Sequence, residues 1–304
     1  MSIVLFWSPF HGQGQTSNLH AIALCASYIY GKSVLLMQTQ FDKNNFESPL
    51  IGQNIDKRQT FDNPLFQDIG LDMAVTYSNM NRLTRNVLES CCISFADNSL
   101  LLLPGTESKN RESFDRDIAK AVGRMIKKAD EYFDLLLIDA NSGEDSLSLK
   151  LMALADLIIV NFAQRRYVLD KLFSEYGEFF LDKRVFYLFG NYDDSSAYNI
   201  ANCRRKYRKY IKKNNSGVIP YSTRYLDAQN EGAVFNFMQR GLYGYQTQKP
   251  GGRPGLRRFF ASKEILEETR YFFSMIMLTT GRLLQVLQNN AADSLQEESL
   301  YEHA

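Results

Sequence analysis

Ten residues near the amino terminus, Ser8–Ser17 with the sequence SPFHGQGQTS, have the types and spacing of a loop that wraps phosphate. Gly12 and Gly14 let backbone N–H groups approach an anion, and Thr16 places a hydroxyl where a magnesium ion would meet phosphate oxygens. The apolar run Ile3–Trp7 precedes the loop, and an apolar-periodic segment follows it from Leu19 to Tyr30. Strand, glycine loop and helix form the setting in which a helix start receives phosphate. The usual pattern closes on Gly-Lys-Ser/Thr, whereas this chain reads Gly14-Gln15-Thr16. Gln15 donates a hydrogen bond but brings no charge, which removes roughly 1–2 kcal/mol of net interaction with a terminal phosphate. Turnover suffers more than binding, because transition-state charge goes unmet. His11 adds a Cβ where close backbone approach is wanted. The same ten residues also suit a tight turn that packs helix on strand and binds nothing.

A second element, Phe133–Gly143 with the sequence FDLLLIDANSG, ends an apolar strand on Asp139 and continues into a small-residue turn. That arrangement matches a magnesium-organising acid beside a loop that senses a terminal phosphate. An aspartate that merely caps the following turn is the plainer alternative.

These residues need a scaffold, and the apolar patterning supplies one. Short β-rich runs at Ile3–Trp7, Ser33–Gln38, Leu100–Leu103, Phe133–Asp139, Leu157–Phe162, Val185–Phe189 and Gly217–Pro220 read as buried parallel strands. Helical patterns lie between them at Thr16–Tyr30, Asn79–Glu89, Phe114–Ala129, Ser146–Ala155, Tyr167–Phe180 and Tyr198–Lys213. The alternation predicts an α/β fold with a doubly wound, mostly parallel sheet and helices on both faces. Ligands of such sheets bind beyond the strands' carboxyl ends, where the glycine loop falls. Asn44–Asn79 reads as a polar excursion with short helices, and Gly241–Pro254 as an exposed, flexible loop continuing to about residue 255. A long helix is expected at about 262–287, giving one domain over residues 1–289 and a frayed acidic tail at 290–304.

Composition excludes several classes. The 304 residues carry a net charge of +1, so no global field points to an anionic partner, and 45% apolar residues suffice for a full core. The amino terminus lacks the basic and apolar regions of a signal peptide, and no window has the length of a membrane-spanning helix. Cys25, Cys91, Cys92 and Cys203 lack metal-ligand spacing and read as reduced thiols in the cytoplasm. His20 falls on the first helix, His303 in the tail, and no nucleophile–histidine set appears.

One local field stands out. Arg204, Arg205, Lys206, Arg208, Lys209, Lys212 and Lys213 crowd ten residues of an expected helix. They fit DNA phosphates or anionic lipid headgroups, or else a solvated face with Tyr207 and Ile211 turned toward the sheet. Arg253, Arg257 and Arg258 with Phe259 and Phe260 form a second basic-aromatic cluster, suited to a membrane interface or to core packing.

After the last core strand comes Val218–Gly232, VIPYSTRYLDAQNEG. With this run, the chain resembles the ParA/MinD superfamily of deviant Walker A ATPases. The resemblance spans Ile3 to about Leu287 and rests on the Phe10–Ser17 loop, the FDLLLID strand, ADLIIVNF at 155–162, LFGN at 188–191 and VIPY, in that order. It implies a P-loop fold that binds ATP or ADP with Mg²⁺. By this likeness Gly12, Gln13, Gly14, Gln15, Thr16 and Ser17 cradle phosphates, Asn191 with Pro220 and Tyr221 holds the base, and Thr16 and Asp139 serve the metal. The departures lie at the terminal-phosphate end. Phe10 stands where the family's partner-crossing lysine would lie, Gln15 replaces the phosphate lysine, and Gln38-Thr39-Gln40 replaces an Asp-x-Asp switch.

Four such losses imply a pseudo-ATPase or weak nucleotide binder with no catalytic residue of its own. The degenerate loop is similar to those of TadZ/CpaE-like proteins, which place a pilus or secretion machine at a membrane. The resemblance therefore implies a localisation or scaffolding factor with protein partners, a possible homodimer, and recruitment to the inner membrane face. The competing expectations are an active partition or positioning ATPase, in which Lys32, Lys43 or Arg111 replaces the missing charge, and a DNA-binding partition-type protein that uses the 204–213 cations.

Overall fold

The computed structural model describes residues 2–41, 45–52, 69–95, 99–106, 108, 110–247 and 263–301, except the side chains of 245–247, 263–266 and 290–301. Eight strands form one sheet: β1 (Ser2–Trp7), β2 (Val34–Gln38), β3 (Ile93–Phe95), β4 (Leu100–Leu103), β5 (Leu135–Asp139), β6 (Leu157–Ala163), β7 (Val185–Tyr192) and β8 (Ser216–Pro220). Their order is β3-β4-β2-β5-β1-β6-β7-β8. All pairs are parallel except β3 with β4, so β3 is an antiparallel edge.

The expected strands are all present, because strands covered on both faces must be apolar throughout. β1, β2, β4 and β5 are buried along essentially their whole length. One face packs Leu5, Trp7, Met37 and Ile138 against the Leu71–Asn79, Val122–Asp130, Ser146–Met152 and Arg166–Glu175 helices. The other packs Val4, Phe6, Leu36 and Leu137 against α1 (Gln15–Tyr30) and the Thr223–Asn230, Val234–Thr247 and Lys263–Tyr301 helices. α1 stops at Gly31, whose φ of 62° no other residue type adopts as readily and whose N–H returns to the Ala26 and Ser27 carbonyls.

Several boundaries differ from those expected. The Asn79–Glu89 segment is the end of one helix and a second helix, Arg85–Ser90, parted by Asn81 at a φ of 55°. The Phe114–Ala129 segment opens with a π-helical turn, Phe114–Ile118, before Val122–Asp130 resumes. The basic helix ends at Lys206, because Tyr207 and Ile211 turn inward to bury against the sheet. Gly241–Thr247 are not loop but the last turns of the Val234–Thr247 helix. There Val234, Met238 and Leu242 are buried, and a Cβ on Gly241 would fall 1.9 Å from the Phe273 ring, so that glycine permits close helix packing. Residues 248–255, Lys43 and the 253–260 basic-aromatic cluster lie outside the described residues. The final helix carries its backbone through Tyr301, into the stretch expected as a tail.

Candidate functional site at the Ser8–Ser17 loop

The loop leaves β1 at Trp7 and enters α1 at Gln15, between the carboxyl ends of β5 and β6. Gly12 and Gly14 both take a φ of 74°, the left-handed conformation that points successive N–H groups the same way. No side chain caps α1, so its first N–H groups and the positive end of its dipole are presented at the loop.

A buried polar network holds this shape. Asn161, the one polar residue within the apolar β6 run, donates through Nδ2 to the Gln13 carbonyl at 2.7 Å. Its Oδ1 accepts from Asn18 Nδ2 at 2.6 Å, and its backbone carbonyl accepts the Ser8 hydroxyl at 2.8 Å. Gln13 Oε1 accepts the Ala163 N–H at 3.1 Å. Gly190 on β7 has to lack a side chain, since a Cβ would sit 2.4 Å from Asn18 Nδ2 and 3.0 Å from the Gln13 carbonyl. Ser17 donates to Gln229 Oε1 at 2.5 Å, and the Tyr225 hydroxyl donates to the Ser17 carbonyl at 2.6 Å. On the β5 side, Trp7 Nε1 donates to the Gly143 carbonyl at 2.9 Å and the Gly143 N–H donates to Ser8 at 2.9 Å.

The lysine position is filled in an unforeseen way. Gln15 turns away from the loop mouth, and its Nε2 donates to Asp139 Oδ1 at 2.6 Å, the Ala140 carbonyl at 2.7 Å and the Phe6 carbonyl at 3.1 Å. Thr16 Oγ1 donates to the other Asp139 oxygen at 2.6 Å. Both carboxylate oxygens of the fully buried Asp139 are thus engaged by neutral donors. Desolvation nevertheless pushes its pKa up to about 6, against the smaller opposing effect of these two hydrogen bonds. Thr16 and Asp139 remain the pair able to take a divalent cation, but Gln15 now occupies one side of the carboxylate.

The adjoining positions on β2 are uncharged as well. Gln38 pairs in register with Asp139 and donates through Nε2 to Glu47 at 3.2 Å, while the Gly105 N–H donates to the same Glu47 oxygen at 2.9 Å. Gln40 donates weakly to the Ala140 carbonyl at 3.4 Å. Gln15 Oε1, Gln38 Oε1 and Thr39 Oγ1 are buried without a hydrogen-bond partner. The glycine loop, the open start of α1 and the Thr16–Asp139 pair are the groups that a phosphate chain with Mg²⁺ would use.

The remaining expected residues are more scattered. Asn191, at a φ of 46°, brings its side-chain amide to 3.6 Å from the position of a Cβ on Gly14, at the loop's edge. Pro220 is buried at the end of β8, and Tyr221, 51% exposed, follows it with its N–H on the Tyr192 carbonyl. Phe10 packs on Tyr167 at 6.0 Å, with Lys171 Nζ 5.0 Å from its ring. Of the substitute cations, Lys32 follows the far end of the sixteen-residue α1, about 24 Å of helix from Gln15. Arg111 is held by Asp145 at 3.0 Å and Asp115 at 3.2 Å. Asn161, Asn18, Gln229 and Glu47 belong to the site without having been expected there; for Asn161 the available signal was a lone polar residue within an apolar strand.

The geometry is that of an α/β domain with a glycine loop between its first strand and first helix, and its fold is similar to that of ParA and MinD structures. Solved structures bear out that fold. A ParA family ATPase from Chlorobium tepidum TLS matches 92% of this chain and 98% of its own at a TM-score of 0.64 and 14% identity. MinD from Pyrococcus horikoshii OT3, solved with Mg-ADP, matches 94% and 98% at 0.61 and 14%. A chain of the Aquifex aeolicus MinC:MinD cell division protein complex matches 84% and 100% at 0.54 and 16%. No protein-family model matches the sequence, and no curated protein does. At these identities the likeness is one of fold. Among the described residues no helix is long and apolar enough to cross a membrane, and no disulfide joins the four cysteines.

Proposed function

We propose that this chain is a degenerate member of the ParA/MinD superfamily that positions or scaffolds a protein assembly and does not turn over ATP. The observation that carries the reading is Gln15, whose amide is spent on Asp139, Ala140 and Phe6 where a phosphate lysine would reach out of the loop. The uncharged Gln38–Gln40 segment and the distant or already paired Lys32 and Arg111 support it. Gly12, Gln13, Gly14, Gln15, Thr16 and Ser17, with Asn191, Pro220 and Tyr221, would hold any nucleotide, and Thr16 and Asp139 its Mg²⁺. Backbone donors and the helix dipole serve a diphosphate as well as a triphosphate, so ADP should bind at least as well as ATP.

The MinC:MinD complex is a precedent for a protein partner of this fold, and the scaffolding role takes the same form here. A membrane-associated assembly such as a pilus or secretion machine, and a homodimer, complete the proposal. Calorimetric titration with ATP and ADP, with and without Mg²⁺, tests it. Weak or absent heats that do not favour ATP are expected. Tight Mg²⁺-dependent ATP binding that exceeds ADP binding and disappears in Thr16→Ala would overturn it.

A further inference from the structure

The seven clustered cations are not equivalent once folded. Lys206 pairs with Asp170 at 2.9 Å, Lys209 with Glu178 at 2.6 Å, the half-buried Arg204 donates to Ser216 at 2.9 Å, and Arg205 donates to the Asn202 side chain. Arg208, Lys212 and Lys213 are exposed and have no acidic partner among the described residues. They lie in the turn that leads into β8. The turn that leads into the neighbouring β7 abuts it: Lys209 bridges to Glu178, and a Cβ on Gly177 would fall 2.7 Å from the Tyr210 hydroxyl. That second turn adds exposed Lys183 and Arg184.

Between these cations stand two exposed apolar side chains, one of them, Phe179, with Lys183 Nζ 5.9 Å from its ring. Phe179 is 43% exposed and Leu181 44% exposed, although Phe180 between them is buried edge-on against Trp7 at 5.7 Å. Burying Phe180 fixes the turn and obliges its neighbours to point outward. Asp182 and Glu178 are the opposing acids on the turn, and Glu178 is already taken by Lys209.

We infer that the paired turns 176–184 and 207–215 dock on an anionic bilayer surface, with Phe179 and Leu181 entering the headgroup region and the free cations meeting lipid phosphates. Charge alone would suit nucleic acid equally. Apolar side chains set among cations suit an interface that is apolar beneath and anionic above. The site uses no residue of the glycine loop, so ATP turnover would overturn the proposed function and leave this inference standing.

Co-sedimentation of the full chain with vesicles tests it. The protein should pellet with phosphatidylcholine vesicles containing phosphatidylglycerol, not with phosphatidylcholine alone, and rising salt should release it. Lys212→Gln with Lys213→Gln should weaken binding about fivefold per lysine. Phe179→Ser with Leu181→Ser should weaken it roughly tenfold at an unchanged melting temperature. No pelleting with the anionic vesicles overturns the inference. So does pelleting that the Phe179/Leu181 pair leaves unchanged, or retardation of duplex DNA that only the lysine variant abolishes.

Discussion

The two walls of the glycine loop differ in how they treat their polar groups. On the β6–β7 wall, Asn161, Asn18 and Gln13 pair with one another and with backbone, and Gly190 leaves room for them. On the β2–β5 wall, Gln15 and Thr16 close over Asp139, while Gln15 Oε1, Gln38 Oε1 and Thr39 Oγ1 are left without partners. Loop shape and phosphate chemistry are therefore separable. Neutral hydrogen bonds hold the loop's shape on the β6–β7 side without a charged side chain taking part. A buried unpaired acceptor costs about 1–3 kcal/mol, so the β2–β5 wall is the less stable of the two.

The largest effect should come from acid acting on a group behind both walls. His20 on α1 is fully buried against Phe46 at 5.3 Å, and desolvation lowers its pKa to about 3. The unfolded chain takes up this proton near 6.5 and the folded chain only near 3. The His20 contribution should be complete above pH 6.5 and should fall by on the order of 4–5 kcal/mol as pH drops toward 3. Urea denaturation across this range should show the decline, and His20→Leu should flatten it; an unchanged slope in the variant would refute the assignment.

Next in size is Asn161→Ala, which strands the Gln13 carbonyl and the Asn18 amide. Denaturation should register a loss of about 3 kcal/mol, whereas Thr39→Val, which removes the unpartnered Thr39 Oγ1 and strands no partner, should stay within about 1 kcal/mol. Equal losses in the two variants would erase the contrast between the walls.

Asp139 supplies a smaller effect of opposite sign to that of His20. Its folded carboxyl keeps a proton up to about 6 and its unfolded one only to 3.8. Its contribution therefore falls by about 3 kcal/mol as pH rises through that window. Asp139→Asn should remove this term and make the acid decline steeper between pH 4 and 6. A shallower decline would contradict the burial argument.

The sheet was legible because strands covered on both faces must be apolar without interruption, as Leu100–Leu103 and Leu135–Asp139 are. Helix ends were less so. Asn81 breaks a periodic stretch through a left-handed turn, and Gly241, read as a loop signal, marks a helix crossing against Phe273. In the site, the absence of lysine at Gln15 was plain from spacing. The inward turn of that side chain was not, since it depends on Asp139 being brought 2.6 Å away across 124 residues of sequence. Asn161 lies within the ADLIIVNF run, yet only the folded contact with Gln13 gives its side chain a role.

Phosphate release by the purified chain in Mg²⁺ and ATP addresses the central claim most directly, with Thr16→Ala and Gln15→Lys measured alongside. Release at background in the native chain, unaltered by Thr16→Ala, is the expected result, even where Gln15→Lys gains nucleotide affinity. Steady turnover by the native chain that Thr16→Ala abolishes would contradict the account.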